Sequence, residues 1–300
     1  MRRRPELFQQ AIDRLRQKWP EIHTFPTEGP QTAGGIVSRC IAEGAGLIVV
    51  AGGDGTINEA VEGAVGTDVP FGFLPFGTAN VLSNELRMGN NPVRAAELLT
   101  HSTPVPVSLG RMTTESGSRL FLCMAGAGLD ARIVRIVNPK VKSALGKYAY
   151  WLYAFEHVGR RLHQFRVRLC GREYVTSFAL ISRVRNYGGD IEIAKRANLM
   201  EDHFAVVLFE GLSSSRYLKY FAGVLFNNLD RMSGVHLLEC TSVELEPIEG
   251  SKLDLQLDGE HMGFGAARYE IVEAAVRLLI PAPYLSVMTP ATVRLQYEAF

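Results

Sequence analysis

Cysteine is scarce in this sequence and is not arranged to bind zinc or to form a disulfide framework. The four cysteines, Cys40, Cys123, Cys170 and Cys240, are scattered along the chain, and no CxxC pair occurs. Zinc sites and the disulfide frameworks of small secreted domains both depend on closely or regularly spaced cysteines. The sequence therefore argues against those two classes and favours a reducing, cytoplasmic location.

Long apolar runs and an excess of charge of one sign are also missing. No segment approaches the roughly 20 apolar residues of a membrane span, and the start, MRRRPELFQQ, lacks the apolar segment of a signal peptide. Lys and Arg number 32 against 31 Asp and Glu, so bulk electrostatics gives no basis for nucleic-acid binding. We expect no nucleic-acid partner, and a cytoplasmic protein whose contact with a membrane is at most peripheral.

The chain is long enough for roughly two packed domains, since 47% of its 300 residues are hydrophobic. Up to residue 104 the pattern predicts helices over about 5–18 and 32–43 and short strands over 22–25, 47–50 and 69–74. Beyond it, short segments rich in β-branched and aromatic residues predict strands. They are 105–109, 119–124, 165–169, 174–182, 204–209, 242–245, 253–257 and 275–280. Two helices, at about 147–161 and 216–229, carry aromatic stripes typical of core packing, with lipid contact as the alternative.

The most informative segment is LIVVAGGDGTIN, residues 47–58. Its apolar run predicts a strand buried in a parallel sheet, and Gly52 and Gly53 then allow a sharp turn into a helix. Exposed N–H groups at a helix start bind anionic oxygen, and the hydroxyl of Thr56 can donate as well. Asp54 beside them suits a divalent metal that accompanies phosphates. The segment predicts a phosphate cradle, although many glycine-rich turns are only turns.

The same strand, turn and helix pattern occurs a second time. The strand over 69–74 leads into LPFGTAN, which ends at Asn80 and precedes another predicted helix. Neighbouring parallel strands end at the same edge of a sheet, where open α/β sheets bind their ligands. We therefore expect the two turns to lie side by side.

GGDGT followed by LPFGTAN resembles the signature of the diacylglycerol kinase and sphingosine kinase family, which shares GGDGT with NAD kinases and, in part, with phosphofructokinases. Two more segments match in the family's order: GAGLDA, which contains Asp130, and the DGE of residues 258–260. The resemblance covers about Pro5 to Pro283. It implies an α/β fold of two domains. Residues 1–104 form a nucleotide-binding domain like that of NAD kinases and diacylglycerol kinases, to which the tail 283–300 returns, and residues 105–282 form a mainly antiparallel, β-rich domain for the lipid substrate. The active site is implied to lie in the cleft between the two domains.

The resemblance also implies an activity, ATP-dependent phosphorylation of a lipid hydroxyl with Mg²⁺, diacylglycerol being the first choice of acceptor. Glu260 is implied to be the general base, and Asp54 and Asp130 are implied to hold or orient magnesium. The residues expected to position ATP are Thr27, Gly52, Gly53, Asp54, Gly55, Thr56, Ile57, Asn58 and Thr78. Taken alone, Asp130 is more typical of a turn or a helix cap, and Asp258 with Gly259 is typical of a hairpin turn.

A further, structural magnesium site is implied at Leu199, Asp202 and Phe204, through one carboxylate and two backbone carbonyls. The family usually has glycine where this chain has His203.

Two more departures concern the nucleotide domain. Many members have an aspartate where this chain has Val81, and the family's first strand and Asn-Pro-x-Ser-Gly-like loop precede the helix with which this chain starts. We therefore expect either a truncated start or a sheet that lacks a central strand.

Two other functions stay open. The only segment that supports an NAD kinase-like enzyme is GGDGT. Val81 and the absence of the family's first strand suggest a non-catalytic relative that binds a lipid or a nucleotide. The expected partner is a lipid presented at a membrane surface, and a homodimer is among the assemblies that the sequence leaves open.

Overall fold

A computed structural model describes residues 4–136, 162–188, 191–226 and 228–288. Its helices and antiparallel and parallel strands confirm the α/β class. The chain forms two compact units: unit 1 is Met1–Ser108 with Glu273–Phe300, and unit 2 is Leu109–Val272. None of the helices in the described ranges is both long and apolar enough to span a bilayer.

The helices of the described ranges are short. They are α1 Pro5–Arg16, α2 Ala33–Ala42, α3 Asp54–Glu62, α4 Val81–Glu85, α5 Pro92–Thr100, α6 Leu129–Ile136, α7 Ser214–Leu225 and α8 Ala282–Met288, with a 3₁₀ turn at Leu229–Arg231. The predicted helix at 147–161 lies outside the described residues.

The strands of the described ranges number sixteen. They are β1 Ile48–Gly52, β2 Pro70–Pro75, β3 Thr103–Thr114, β4 Gly117–Phe121, β5 Met124–Gly128, β6 Phe165–Leu169, β7 Arg172–Thr176, β8 Phe178–Ser182, β9 Asn186–Tyr187, β10 Ile191–Glu192, β11 Phe204–Phe209, β12 Val235–Cys240, β13 Ser242–Pro247, β14 Asp254–Leu257, β15 Glu260–Phe264 and β16 Ala267–Ile280.

Unit 1 is built on a small parallel sheet. β1 pairs with β2 in parallel, and the end of β16 pairs in parallel with the start of β2. Among the described strands, β1 has a partner only on its β2 side. α1 begins with Pro5 in its first turn and buries Ala11, Ile12 and Leu15, because these residues recur on one helical face. The parallel pair brings the ends of β1 and β2, and so both glycine turns, to the same edge.

Unit 2 is mainly antiparallel. One sheet has the order β12-β11-β8-β5-β14-β15, and β13 pairs with β6 and with the start of β16. Apolar side chains of these strands form a common core around Phe121, Phe204 and Tyr269, all of which are fully buried. This core fixes β5 and β14 as neighbours, and both strands lead to acidic residues that the sequence singled out.

Three strand predictions are wrong: one segment forms no strand, and two predicted strands are each divided in two. Residues 22–25 lie in an irregular and mostly exposed segment, so their two apolar residues gain no core to pack on. The run 119–124 is divided between β4 and β5, because the N–H groups of Leu122 and Cys123 bind the carboxylate of Asp258. The run 174–182 breaks at Ser177, whose hydroxyl donates to the carbonyl of Gly211 at 2.6 Å. Side-chain hydrogen bonds across long sequence separations decide both breaks.

Candidate active site

The first glycine turn joins β1 to α3. Gly53 is the last residue before the helix and has extended backbone angles, φ −91° and ψ 177°, and the N–H of Ile57 donates to its carbonyl at 3.0 Å. The side chain of Thr56 packs over Gly52, where a Cβ would lie 2.7 Å from the Thr56 Cβ. At a helix start the first N–H groups have no acceptor inside the helix, and those of Gly55 and Thr56 belong to this first turn. Such groups suit an anion at this edge of the sheet.

The second glycine turn packs directly against the first. A Cβ at Gly53 would lie 3.1 Å from the Cα of Gly77, and a Cβ at Gly77 would lie 2.7 Å from the Cα of Gly53. The N–H of Phe76 also donates to the carbonyl of Gly52 at 2.9 Å. The two turns therefore touch through bare α-carbons: a side chain at position 77 does not fit this approach, and one at position 53 fits only if the backbone of Gly77 moves by a few tenths of an ångström.

Asn80 holds the second turn in shape. It adopts a left-handed conformation, φ 46°, and its Oδ1 accepts the N–H of Gly77 at 2.8 Å. Its Nδ2 donates to the carbonyl of Gly77 at 3.2 Å and to Oδ1 of Asn90 at 2.9 Å. Thr78 is left exposed at the tip of the turn. The asparagine of GTAN thus has a local structural role, which the motif alone did not reveal.

The other residues expected to bind ATP differ in what they can offer. Ile57 and Asn58 are buried within α3; Ile57 has no polar side-chain atom, and its N–H already donates to the carbonyl of Gly53. Thr27 is exposed in the irregular segment before α2 and is not fixed by a helix or strand. Val81 is the buried first residue of α4 and has no side-chain oxygen for a metal.

In unit 2, Asp130 is a buried carboxylate held by two side chains. It is 1% exposed, the hydroxyl of Tyr187 donates to its Oδ1, and Nε2 of Gln256 donates to its Oδ2 at 2.8 Å. Burial raises the pKa of Asp130 from 3.8 to about 6, while the hydrogen bonds from Tyr187 and Gln256 oppose that shift. A Cβ on Gly126 would overlap Oδ2, so glycine at this position makes room for the carboxylate.

Asp258 and Gly259 form the two-residue turn between β14 and β15. Both have positive φ, 45° and 82°, as a tight hairpin turn requires. The carboxylate of Asp258 accepts three successive N–H groups, from Leu122 at 3.2 Å, Cys123 at 3.1 Å and Met124 at 2.7 Å. The hairpin interpretation of this pair is therefore confirmed, and Asp258 ties the turn to the start of β5.

Gln256 connects this turn to Asp130. Its Nε2 donates to Asp130, and its Oε1 accepts the N–H of Gly259 at 2.9 Å. Glu260 follows directly, exposed at the first position of β15 and paired with Leu257. The structure thus brings the GAGLDA and DGE segments together through a glutamine that the sequence analysis missed. Gln256 lies on β14 two residues before the turn at Asp258, and this closeness to the DGE segment was the available signal.

A buried arginine lies against the loop that is expected to hold a structural magnesium ion. The guanidinium of Arg183, which follows β8, donates to the carbonyl oxygens of Glu201, of His203 at 2.6 Å and of Leu199 at 3.1 Å. Asp202, expected to supply the carboxylate, is exposed, and Phe204 begins β11. The carbonyl of Leu199 therefore already has a cationic partner.

Comparison with known families agrees with this geometry. Residues 2–112 match the domain family described as "Diacylglycerol kinase catalytic domain". Residues 123–280 match the domain family described as "YegS C-terminal NAD kinase beta sandwich-like domain". The chain belongs to the diacylglycerol kinase family. This family member is an enzyme, a kinase that phosphorylates a lipid.

Similar proteins cover this lipid kinase over most of its length. A Mycobacterium tuberculosis protein named diacylglycerol kinase is 24% identical over 281 residues, 90% of this chain and 88% of the relative. A Bacillus subtilis protein of the same name is 22% identical, with 92% of each chain covered. A crystal structure of a diacylglycerol kinase from Bacillus anthracis aligns with a TM-score of 0.74 at 20% identity, covering 92% of each chain, which shows the shared fold.

Because the pKa of Asp130 is raised in the folded state, the free energy of unfolding of this lipid kinase should depend on pH. The folded state keeps the proton up to about pH 6, whereas the unfolded chain releases it near 3.8, so the folded state binds more protons in this window. The contribution of Asp130 to the free energy of unfolding is therefore most favourable at acidic pH and falls as the pH rises toward 6. The expected loss is roughly 2 to 3 kcal/mol.

Asp130→Asn removes the titrating group and keeps hydrogen bonding, because the amide can accept from Gln256 while the Tyr187 hydroxyl turns to accept from it. We expect the variant to gain stability relative to the parent between about pH 4 and 7. Urea titration with pulsed hydrogen exchange of unit 2 peptides measures this difference. Parallel curves for the two proteins would contradict the assignment.

Proposed function

We propose that this lipid kinase transfers the γ-phosphoryl group of ATP to the hydroxyl of diacylglycerol. The observation that carries the proposal is the contact between the two glycine turns at the edge of the parallel sheet, beside the start of α3. Such an edge, with backbone N–H groups and glycines, suits a polyphosphate. The choice of acceptor is supported by the names of the M. tuberculosis and B. subtilis relatives.

Unit 1 supplies the phosphate-binding groups. The turn residues Gly53 and Gly55 let the backbone approach phosphate oxygens, and Thr56 and Thr78 can donate hydroxyl hydrogen bonds. We assign Asp54, in the first turn of α3, to accompany a bound magnesium ion through its carboxylate. When bound, Mg²⁺ would neutralise charge on the phosphates, as it does in other phosphoryl transfers.

Unit 2 supplies the base. Glu260 is exposed, so an acceptor hydroxyl can reach its carboxylate, and its backbone is fixed by the Asp258 turn. A carboxylate within hydrogen-bond reach takes the hydroxyl proton as the oxygen attacks phosphorus. Both oxygens of Asp130 accept hydrogen bonds from the protein, so we assign Asp130 to positioning this hairpin through Gln256 rather than to direct contact with the reacting groups.

A lipid acceptor is presented at a membrane surface, so the enzyme needs a peripheral contact with it. Unit 2 exposes two apolar side chains that flank α7, one of the two helices that the sequence marked as alternatives for lipid contact. Phe226 is 81% exposed and Leu212 is 45% exposed. Exposed aromatic side chains beside a helix are suited to insertion at the interface between headgroups and acyl chains. We assign this surface to membrane contact.

Phe226→Ser is expected to weaken binding to vesicles of phosphatidylglycerol and phosphatidylcholine roughly tenfold, because inserting a phenyl ring contributes about 1.5 to 3 kcal/mol. Co-sedimentation measures the partition coefficient. Phe25→Ser is the matched control, since Phe25 is 48% exposed and lies in unit 1. Equal partition coefficients for both variants and the parent would remove α7 from the membrane contact.

The acceptor is tested by comparing turnover on diacylglycerol, sphingosine and NAD with ATP as donor. We expect phosphorylated diacylglycerol to be the main product. Preferential phosphorylation of NAD would favour the NAD kinase-like alternative. ATP binding without phosphorylation of any acceptor would identify a non-catalytic relative.

A further inference from the structure

A buried arginine lies at the centre of the loop 199–204. Arg183 is 0% exposed, and its guanidinium donates to the carbonyl oxygens of Leu199, Glu201 and His203. These carbonyls come from alternate residues of one short loop. They converge on a single positive charge that is part of the protein itself.

Converging carbonyl oxygens are also what a hard metal ion prefers as ligands. A fully buried arginine needs such partners, because burying an uncompensated charge is very costly. Here the guanidinium is satisfied by three carbonyl oxygens of the loop, and one of them, that of Leu199, is also one of the three predicted magnesium ligands. A divalent ion bound to it would lie beside the guanidinium, and two buried positive charges repel each other.

We propose that Arg183 takes the place of the structural magnesium ion expected at Leu199, Asp202 and Phe204. The loop is organised by a side chain and does not depend on a divalent metal. The backbone N–H of Arg183 donates to the carbonyl of Cys123 at 2.8 Å, so the same residue anchors the loop to the segment that binds Asp258. The inference concerns this loop and is independent of the magnesium that accompanies ATP and of the proposed function.

The first test uses the full-length parent protein without nucleotide. After treatment with EDTA and desalting, metal content is measured by inductively coupled plasma mass spectrometry, and thermal unfolding is followed in EDTA and in Mg²⁺. We expect substoichiometric metal and the same melting temperature in both buffers. One tightly held magnesium or calcium ion per chain, or a lower melting temperature in EDTA, would overturn the proposal.

The second test removes the charge. Arg183→Met keeps an apolar stem of similar length, and Arg196→Met is the matched control, because Arg196 lies in the same segment, is exposed and only faces Glu239 at 3.7 Å. Hydrogen exchange of peptides covering 197–204 is expected to accelerate roughly tenfold or more in Arg183→Met and to stay unchanged in Arg196→Met. Unchanged exchange in a folded Arg183→Met would overturn the proposal. If that variant does not fold, metal content and chelation of the parent protein decide.

Discussion

Gly53→Val is expected to abolish ATP binding while unit 1 remains folded. The φ and ψ of Gly53 are allowed for any residue, so the substitution does not strain the backbone there. The new Cβ would lie 3.1 Å from the Cα of Gly77, so the added side chain would crowd the contact between the two turns. Phosphate oxygens that approach the backbone at this point would be excluded. Isothermal titration calorimetry with Mg-ATP measures the loss.

Two controls separate lost binding from lost folding. Gly46→Val adds the same side chain at the other end of β1, where no heavy atom lies within 4 Å of the added Cβ, and it should bind ATP like the parent. Circular dichroism reports whether Gly53→Val is folded. Unchanged ATP affinity in a folded Gly53→Val protein would remove the glycine turns from the nucleotide site.

Glu260→Gln is expected to lower turnover roughly 10²- to 10⁴-fold. Glutamine keeps the shape and one hydrogen-bonding oxygen but cannot accept the proton of the lipid hydroxyl. The Asp258 turn does not depend on the side chain of residue 260, so the fold and the affinity for ATP should be nearly unchanged. Turnover is measured with saturating ATP and diacylglycerol in mixed micelles.

Substitutions of two other acidic residues make this test specific. Glu249→Gln neutralises another exposed glutamate of unit 2, in the loop between β13 and β14, and should retain parental turnover. Asp54→Asn should impair magnesium-dependent use of ATP as well as turnover, which distinguishes a phosphate-side role from the base. If Glu260→Gln turns over within a few-fold of the parent, Glu260 only begins strand β15.

The local part of the fold could be predicted because its signals lie close together in the sequence. The run Leu47–Val50 followed by two glycines predicts a buried strand, a turn and a helix start, and the structure has β1, the turn and α3 in that order. The contact between Gly53 and Gly77 follows from pairing two such units in parallel. Helix α1 is predicted to within its last turn, since its apolar residues repeat on one face.

The contacts that hold the hairpin carrying Glu260, the candidate base, could not be predicted in the same way. The partners of Asp258 lie 134 to 136 positions away along the chain, those of Asp130 lie 57 and 126 positions away, and neither Gln256 nor Leu122 carries a motif. Such contacts depend on which strands become neighbours, and local patterns do not contain that information. Arg183 was missed for the same reason, because a charged residue after an apolar strand is typical of a solvated turn, and only the fold of the loop 199–204 buries it.

Transfer of the γ-phosphoryl group of ATP to a lipid hydroxyl is tested by one labelling experiment. The enzyme is incubated with diacylglycerol in mixed micelles and with ATP labelled with ³²P at either the γ or the α position, and the chloroform-extractable label is counted. We predict label in the organic phase from γ-labelled ATP and none from α-labelled ATP. Label that stays entirely in the aqueous phase with both donors, from a protein that binds ATP, would contradict the account.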